Sequence, residues 1–203
     1  MENKVNFYTL GRDIAIKKKF PSKRLFSKFN PDQQLDYKSL IENIDSIYSY
    51  LVKEFEKNPE IVPLSSSWIL DNYYLINQQS SYFSDTFKPK ILNKLPLSEY
   101  DGVYFQIHYI AKKYLESSVY EFSEETLIPF LKGYQKIYPL SSLELWILPT
   151  VIKFEIIKFI LEKGLEIKEK IENSKLAASI VSDISSDLDK GKNPAKRIKK
   201  VIK

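Results

Sequence analysis

Leu35, Leu40, Ile44, Ile47, Leu51 and Phe55 recur at spacings of three to five, which places them along one face of a helix. Asn30 and Pro31 precede this stripe. Asn accepts a bond from a free backbone N–H, and proline has none to lose at the first helical position. The predicted helix therefore runs from that pair to about Lys57, ahead of Asn58-Pro59. Ser65 to Ser67 cap a second helix that extends to about Tyr82. A polar loop follows, with a short helical turn around Pro89 to Leu95. Val103, Tyr104, Ile107, Ile110, Ala111, Tyr114 and Leu115 then draw another helical stripe, starting from Asp101.

Ser123 followed by Glu124 and Glu125 opens the next helix, because acids in a first turn meet the positive end of the macrodipole. It ends near Tyr138-Pro139. Ser141-Ser-Leu-Glu144 has the spacing of a capping box, in which the Ser and Glu side chains satisfy each other's backbone N–H groups. Pro149 lies just inside the helix opened there and costs about 3 kcal/mol in a helix interior. Either the helix kinks at Pro149 or a new one begins there. The pattern continues to Glu162, crosses Gly164 and resumes from Leu165 to Leu188, and Lys190-Gly-Lys-Asn-Pro194 ends it. The segment from Met1 to Phe29 is interrupted by Pro21 and reads as an arm with one short helix from Thr9 to Lys18. The expected fold is all-α, six to eight helices packed as an irregular bundle around one core. Its expected parts are a basic N-terminal arm (1–29), a helical core domain (30–164) and a C-terminal helix with a basic tail (165–203).

Composition supports a folded helical chain. Hydrophobic residues at 43% and aromatic residues at 14% argue against disorder, and only five glycines in 203 residues argue against a hairpin-rich β fold. With no cysteine, disulfides, thiolate metal sites and cysteine nucleophiles are excluded. The first ten residues lack the apolar core of a signal peptide, and no run of about eighteen apolar residues escapes interruption by charge. The expectation is a soluble cytoplasmic chain, at the inner membrane face if its ends engage lipid. The net charge of +5 belongs to those ends. Residues 1–28 hold eight Lys/Arg against two acids and residues 190–203 hold seven against none, leaving sixteen basic and twenty-four acidic residues between.

Candidate chemistry is sparse. The chain's two tryptophans each lie beside acidic residues in otherwise apolar blocks, Trp68-Ile-Leu-Asp71-Asn72-Tyr-Tyr-Leu-Ile76 and Leu143-Glu144-Leu-Trp146-Ile-Leu-Pro149. Asp71 and Asn72 can contact a ligand or partner while Trp68, Tyr73 and Tyr74 offer flat surfaces such as sugar rings stack on. The default expectation is that the aromatics are core and that Asp71 pairs with a nearby cation. Glu144 is explained by the capping box and Trp146 by burial. Lys153 shares the helix of Glu144 or meets Asp71 across an interface. His108, the single histidine, cannot build a multi-histidine metal site and is expected to be structural. Asp187-Leu-Asp189 has the Asp-x-Asp form of many glycosyltransferases but ends a helix instead of a strand. No phosphate loop or nucleophile elbow is present, so no catalytic residue, metal or cofactor is expected. Lys196, Arg197, Lys199, Lys200 and Lys203 of the basic tail, with Ile198, Val201 and Ile202 on one side, suit an anionic membrane surface better than nucleic acid, or form a solvated helix end.

From Ile61 to Leu161 the chain resembles the N-terminal helical region of cyclic β-1,2-glucan synthases, which are membrane-bound glycosyltransferases. Trp68, Asp71, Asn72, Tyr73, Gln79, Val103, Tyr104, Glu144, Leu145, Trp146 and Pro149 carry the likeness in order and spacing, and Lys153 stands at the family's Arg position. Two features depart from it. Ser80-Ser-Tyr-Phe-Ser-Asp85 replaces an Arg-rich stretch, and Asp101-Gly102 replaces Pro-Arg. The resemblance implies a non-catalytic scaffold or docking domain whose partner is a membrane-bound glucan synthase domain or a downstream segment of the same chain. It also implies that UDP-glucose-dependent transfer resides elsewhere. Trp68, Asp71, Asn72, Glu144, Trp146 and Lys153 are the expected structural or partner cluster, orienting two helices. The alternative is a free-standing module whose basic ends bind anionic membrane or nucleic acid.

Overall fold

A computed structural model describes residues 5–20, 30, 35–100 and 102–190 of the chain. Among these residues the fold is all-α. Its helices are α1 (Phe7–Ile16), α2 (Tyr37–Lys57), α3 (Ser65–Thr86), α4 (Pro89–Leu92), α5 (Gln106–Ser117), α6 (Glu124–Gln135) and α7 (Ser142–Asp189). One antiparallel hairpin, β1 (Leu97–Tyr100) and β2 (Gly102–Phe105), interrupts them.

Caps explain where several helices begin. Asn6 accepts from the Thr9 backbone N–H at 3.0 Å, so α1 starts two residues before the expected Thr9. Asp36 accepts from the Ser39 N–H at 3.0 Å and from the Ser39 hydroxyl at 2.7 Å. That cap sets the start of α2 at Tyr37, which corrects the expected start at Asn30; Pro31 lies outside the described residues. The backbone bond from Ser39 is also the main reason the Asp36 carboxyl is held below its ordinary pKa. Ser123 caps α6 as expected, accepting from the Glu125 N–H at 3.1 Å.

The expected helix from Asp101 starts only at Gln106. Leu97 pairs with Phe105 and Glu99 with Val103, so the first part of that stripe is strand. Gly102 turns the hairpin at φ +129°, a conformation that strains any side chain. Lys19 extends the ladder by one residue, its carbonyl accepting from the Glu99 N–H at 3.0 Å. α7 runs through Pro149 and Gly164 as one helix. Pro149 lies on an exposed turn, where water can take the bond that its missing N–H leaves open.

The chain divides into two compact units. The larger comprises Met1–Asn43 and Tyr74–Ile160, and the smaller Ile44–Tyr73 and Leu161–Lys203. The expected boundaries at residues 30 and 165 do not coincide with this division. In the larger unit Phe83 and Phe87 stack at 5.4 Å, and Phe154 meets both edge-on at 5.9 and 5.7 Å. α1 and α6 touch backbone to backbone through Gly11 and Gly133, where a Cβ would lie 2.0 Å from the carbonyl oxygens of Phe130 and Tyr8 respectively. The smaller unit buries Ile44, Ile47, Leu51, Ile69, Ile167 and Ile171. Gly164 lies against Ile47 there, and a Cβ would come within 2.8 Å of it. Lys175 pairs with buried Glu54 at 2.6 Å, and the Tyr50 hydroxyl donates to Glu172. That bond adds to the burial which raises the Tyr50 pKa to about 12.

Candidate functional site

The opening turn of α7 is held by its one buried acid, Glu144. The Ser141 backbone N–H and hydroxyl donate to Glu144 Oε2 at 2.9 and 2.8 Å, and the Glu144 N–H donates to Ser141 Oγ at 3.2 Å, which completes the expected capping box. The other carboxylate oxygen accepts from Gln106 Nε2 at 2.8 Å, and Gln106 Oε1 accepts from the Lys18 ammonium. Both Glu144 oxygens are therefore engaged, and the side chain is 2% exposed. Burial lowers the Lys18 pKa, and the charge of Glu144 offsets part of that shift. The Lys18 ammonium also lies 4.4 Å from the Tyr138 ring centre and 4.9 Å from that of Phe20.

Because Glu144 points inward, the rotation of the helix is fixed. At about 100° per residue, Trp146, Pro149 and Lys153 lie roughly 200°, 140° and 180° around from it and so point outward. Trp146 is 59% exposed, and Leu145, Pro149 and Lys153 are exposed beside it. The expectation that Trp146 is core is thus corrected. The inward positions belong to Ile147, Leu148, Val151 and Ile152, and the capping box leaves Trp146 none. Lys153 holds its ammonium 5.2 Å from the ring centre of Tyr82 on α3, itself 59% exposed. The result is an apolar and aromatic patch with a cation at its rim.

One helical turn beyond Val151, Glu155 is 3% exposed and meets His108 Nε2 at 2.5 Å. Burial opposes its charge, but the His108 hydrogen bond and charge, with Lys158 and Lys112 farther off, hold its pKa below the usual carboxylate value. His108 is packed between the rings of Tyr104 and Phe154, in the structural setting expected of it.

Trp68, Asp71 and Asn72 belong to the smaller unit, whereas Glu144, Trp146 and Lys153 belong to the larger, so the expected cluster is divided between the two. Trp68 is also not core. It is 53% exposed on α3, where Ser66 and Ile69 take the inward positions, and Asp71 is exposed one turn on. Asn72 Nδ2 donates to the Trp68 carbonyl at 2.8 Å within the same helix. Lys196, Arg197, Lys199, Lys200 and Lys203 lie outside the described residues. Asp187 and Asp189 fall in the last turn of α7. Among the described residues no group of three His, Asp or Glu side chains is placed to hold a metal ion, and no helix is long and apolar enough to cross a membrane.

Gln106, Glu155, Lys18 and Tyr82 shape this region, and the sequence carried no signal for them. Each meets a partner far away in the chain, with Gln106 thirty-eight residues from Glu144 and His108 forty-seven from Glu155. The chain matches no protein-family model and no curated protein.

Proposed function

We propose that the chain is a non-catalytic helical docking domain that uses the Trp146 patch to hold a partner protein. One observation carries this reading. The opening turn of α7 buries its one carboxylate, Glu144, and turns its largest apolar side chain, Trp146, outward. Burying an apolar side chain is worth about 1.5–3 kcal/mol, so a surface built this way gains free energy when something covers it. Tryptophan is also the residue type most enriched at the energetic centres of protein interfaces. The carboxylates best placed for chemistry, Glu144 and Glu155, are both buried and already engaged with neighbouring side chains.

The partner we favour is a membrane-bound glucan synthase domain, or a downstream segment of the same polypeptide. The resemblance at Trp68, Asp71, Asn72, Glu144, Trp146 and Pro149 supports that choice. A photo-crosslinking amino acid in place of Trp146, introduced into the chain in its native cell, tests the docking role. We expect an adduct with another polypeptide, recovered with the membrane fraction. An adduct in the soluble fraction would keep docking but remove the synthase, and no adduct from position 146 would overturn the docking role.

A further inference from the structure

Charge on the first twenty residues of α7 is sorted by depth. Between Ser142 and Leu161 the helix carries two acids and two lysines. Glu144 and Glu155 are buried, whereas Lys153 is exposed and Lys158 half-buried. The outward face around Trp146 therefore presents positive charge and no carboxylate of its own. Lys153 makes no ion pair with a carboxylate among the described residues, and what it does meet is the face of Tyr82. A ring face attracts the ammonium without neutralising it, so the charge stays available to an incoming anion.

Resting on the docking role proposed above, we infer that the Trp146 patch takes an acidic amphipathic segment of a partner protein. An apolar side chain of that segment covers Leu145, Trp146 and Pro149, and a carboxylate pairs with Lys153. The spacing suits this, because Trp146 and Lys153 are seven residues apart, about 10 Å along the axis and two turns of a partner helix. An anionic lipid surface shares the same chemistry but fits less well. Two lysines contribute about 1 kcal/mol each at such a surface.

The full chain carrying Trp68→Phe retains Trp146 as its sole tryptophan, and an exposed position such as 68 tolerates the change. Three synthetic helical peptides are titrated against it, each with leucine at helical spacing and with glutamate, glutamine or lysine at the remaining positions. Vesicles of phosphatidylcholine with phosphatidylserine serve as the lipid probe. The expected result is a saturable blue shift of Trp146 emission with the Leu/Glu peptide, binding weakened about tenfold by Lys153→Glu, and no saturation with the Leu/Lys peptide. Equal binding of all three peptides, an unchanged affinity in Lys153→Glu, or a saturable shift with vesicles alone would each overturn the acidic-segment assignment. An adduct from position 146 in cells alongside unselective peptides leaves docking standing and removes only the preference for acid. No adduct there removes docking itself, whatever the peptides show.

Discussion

A carboxylate at 3% exposure stays charged only while a partner answers it, and for Glu155 that partner is His108 at 2.5 Å. Removing one member of a buried pair costs about 3–5 kcal/mol, because the survivor is left desolvated and unpaired. His108→Ala is therefore expected to lower the urea midpoint sharply. His108→Leu with Glu155→Leu recovers much of the loss, because no charge then remains buried. Equal losses in the single and double variants would show that ring packing against Tyr104 and Phe154, and not charge, is the larger contribution of His108. The pH dependence has a definite sign. The folded Glu155 pKa lies below the ordinary value of 4.5, so its ionised form stabilises the fold above that pH, and the contribution is lost as pH falls below it. A chain with His108→Leu and Glu155→Leu should show a flatter loss of stability in that acid range.

At the scale of elements, the crossing of α1 and α6 depends on two glycines, and a Cβ at either would require backbone to move. A Cβ on Gly133 would lie 2.0 Å from the Tyr8 carbonyl oxygen, a backbone atom that cannot rotate away. Gly133→Ala would normally stabilise a helix interior, yet here it is expected to cost about 1–3 kcal/mol through overpacking. Thermal melting checks the sign, and a raised midpoint would mean that the two helices part without penalty. Helices were legible along most of this chain because their apolar residues repeat near 3.6. The hairpin was not, since Val103 and Tyr104 join smoothly onto the stripe of Ile107 and Ile110, and a four-residue strand is too short for its period of two to stand out. The Ser141 and Glu144 capping box was readable because both partners are local. That Glu144 also reaches Gln106, and so turns Trp146 outward, depended on a contact thirty-eight residues away, which no local pattern encodes.

At the scale of the whole molecule, the sequence suggested one core and the structure contains two compact units, each with its own buried residues. α2, α3 and α7 each run through a unit boundary without a break in their helical pattern. Length, glycine and proline signals mark where helices end, and none of them marks where a continuous helix changes the core it serves. The smaller unit has the shorter inventory: a handful of isoleucines with Leu51, the tight contact at Gly164, and the ion pair of Lys175 with Glu54. Small cores bury a smaller fraction of their surface and open more readily. Leu51 is fully buried, so Leu51→Ala is expected to cost about 2–5 kcal/mol. Amide exchange should report that loss in Ile44–Lys57 and Leu161–Ile171, while α1 and α6, which meet at Gly11 and Gly133, keep their protection. Uniform loss of protection across both units would instead mean that the chain unfolds in a single step.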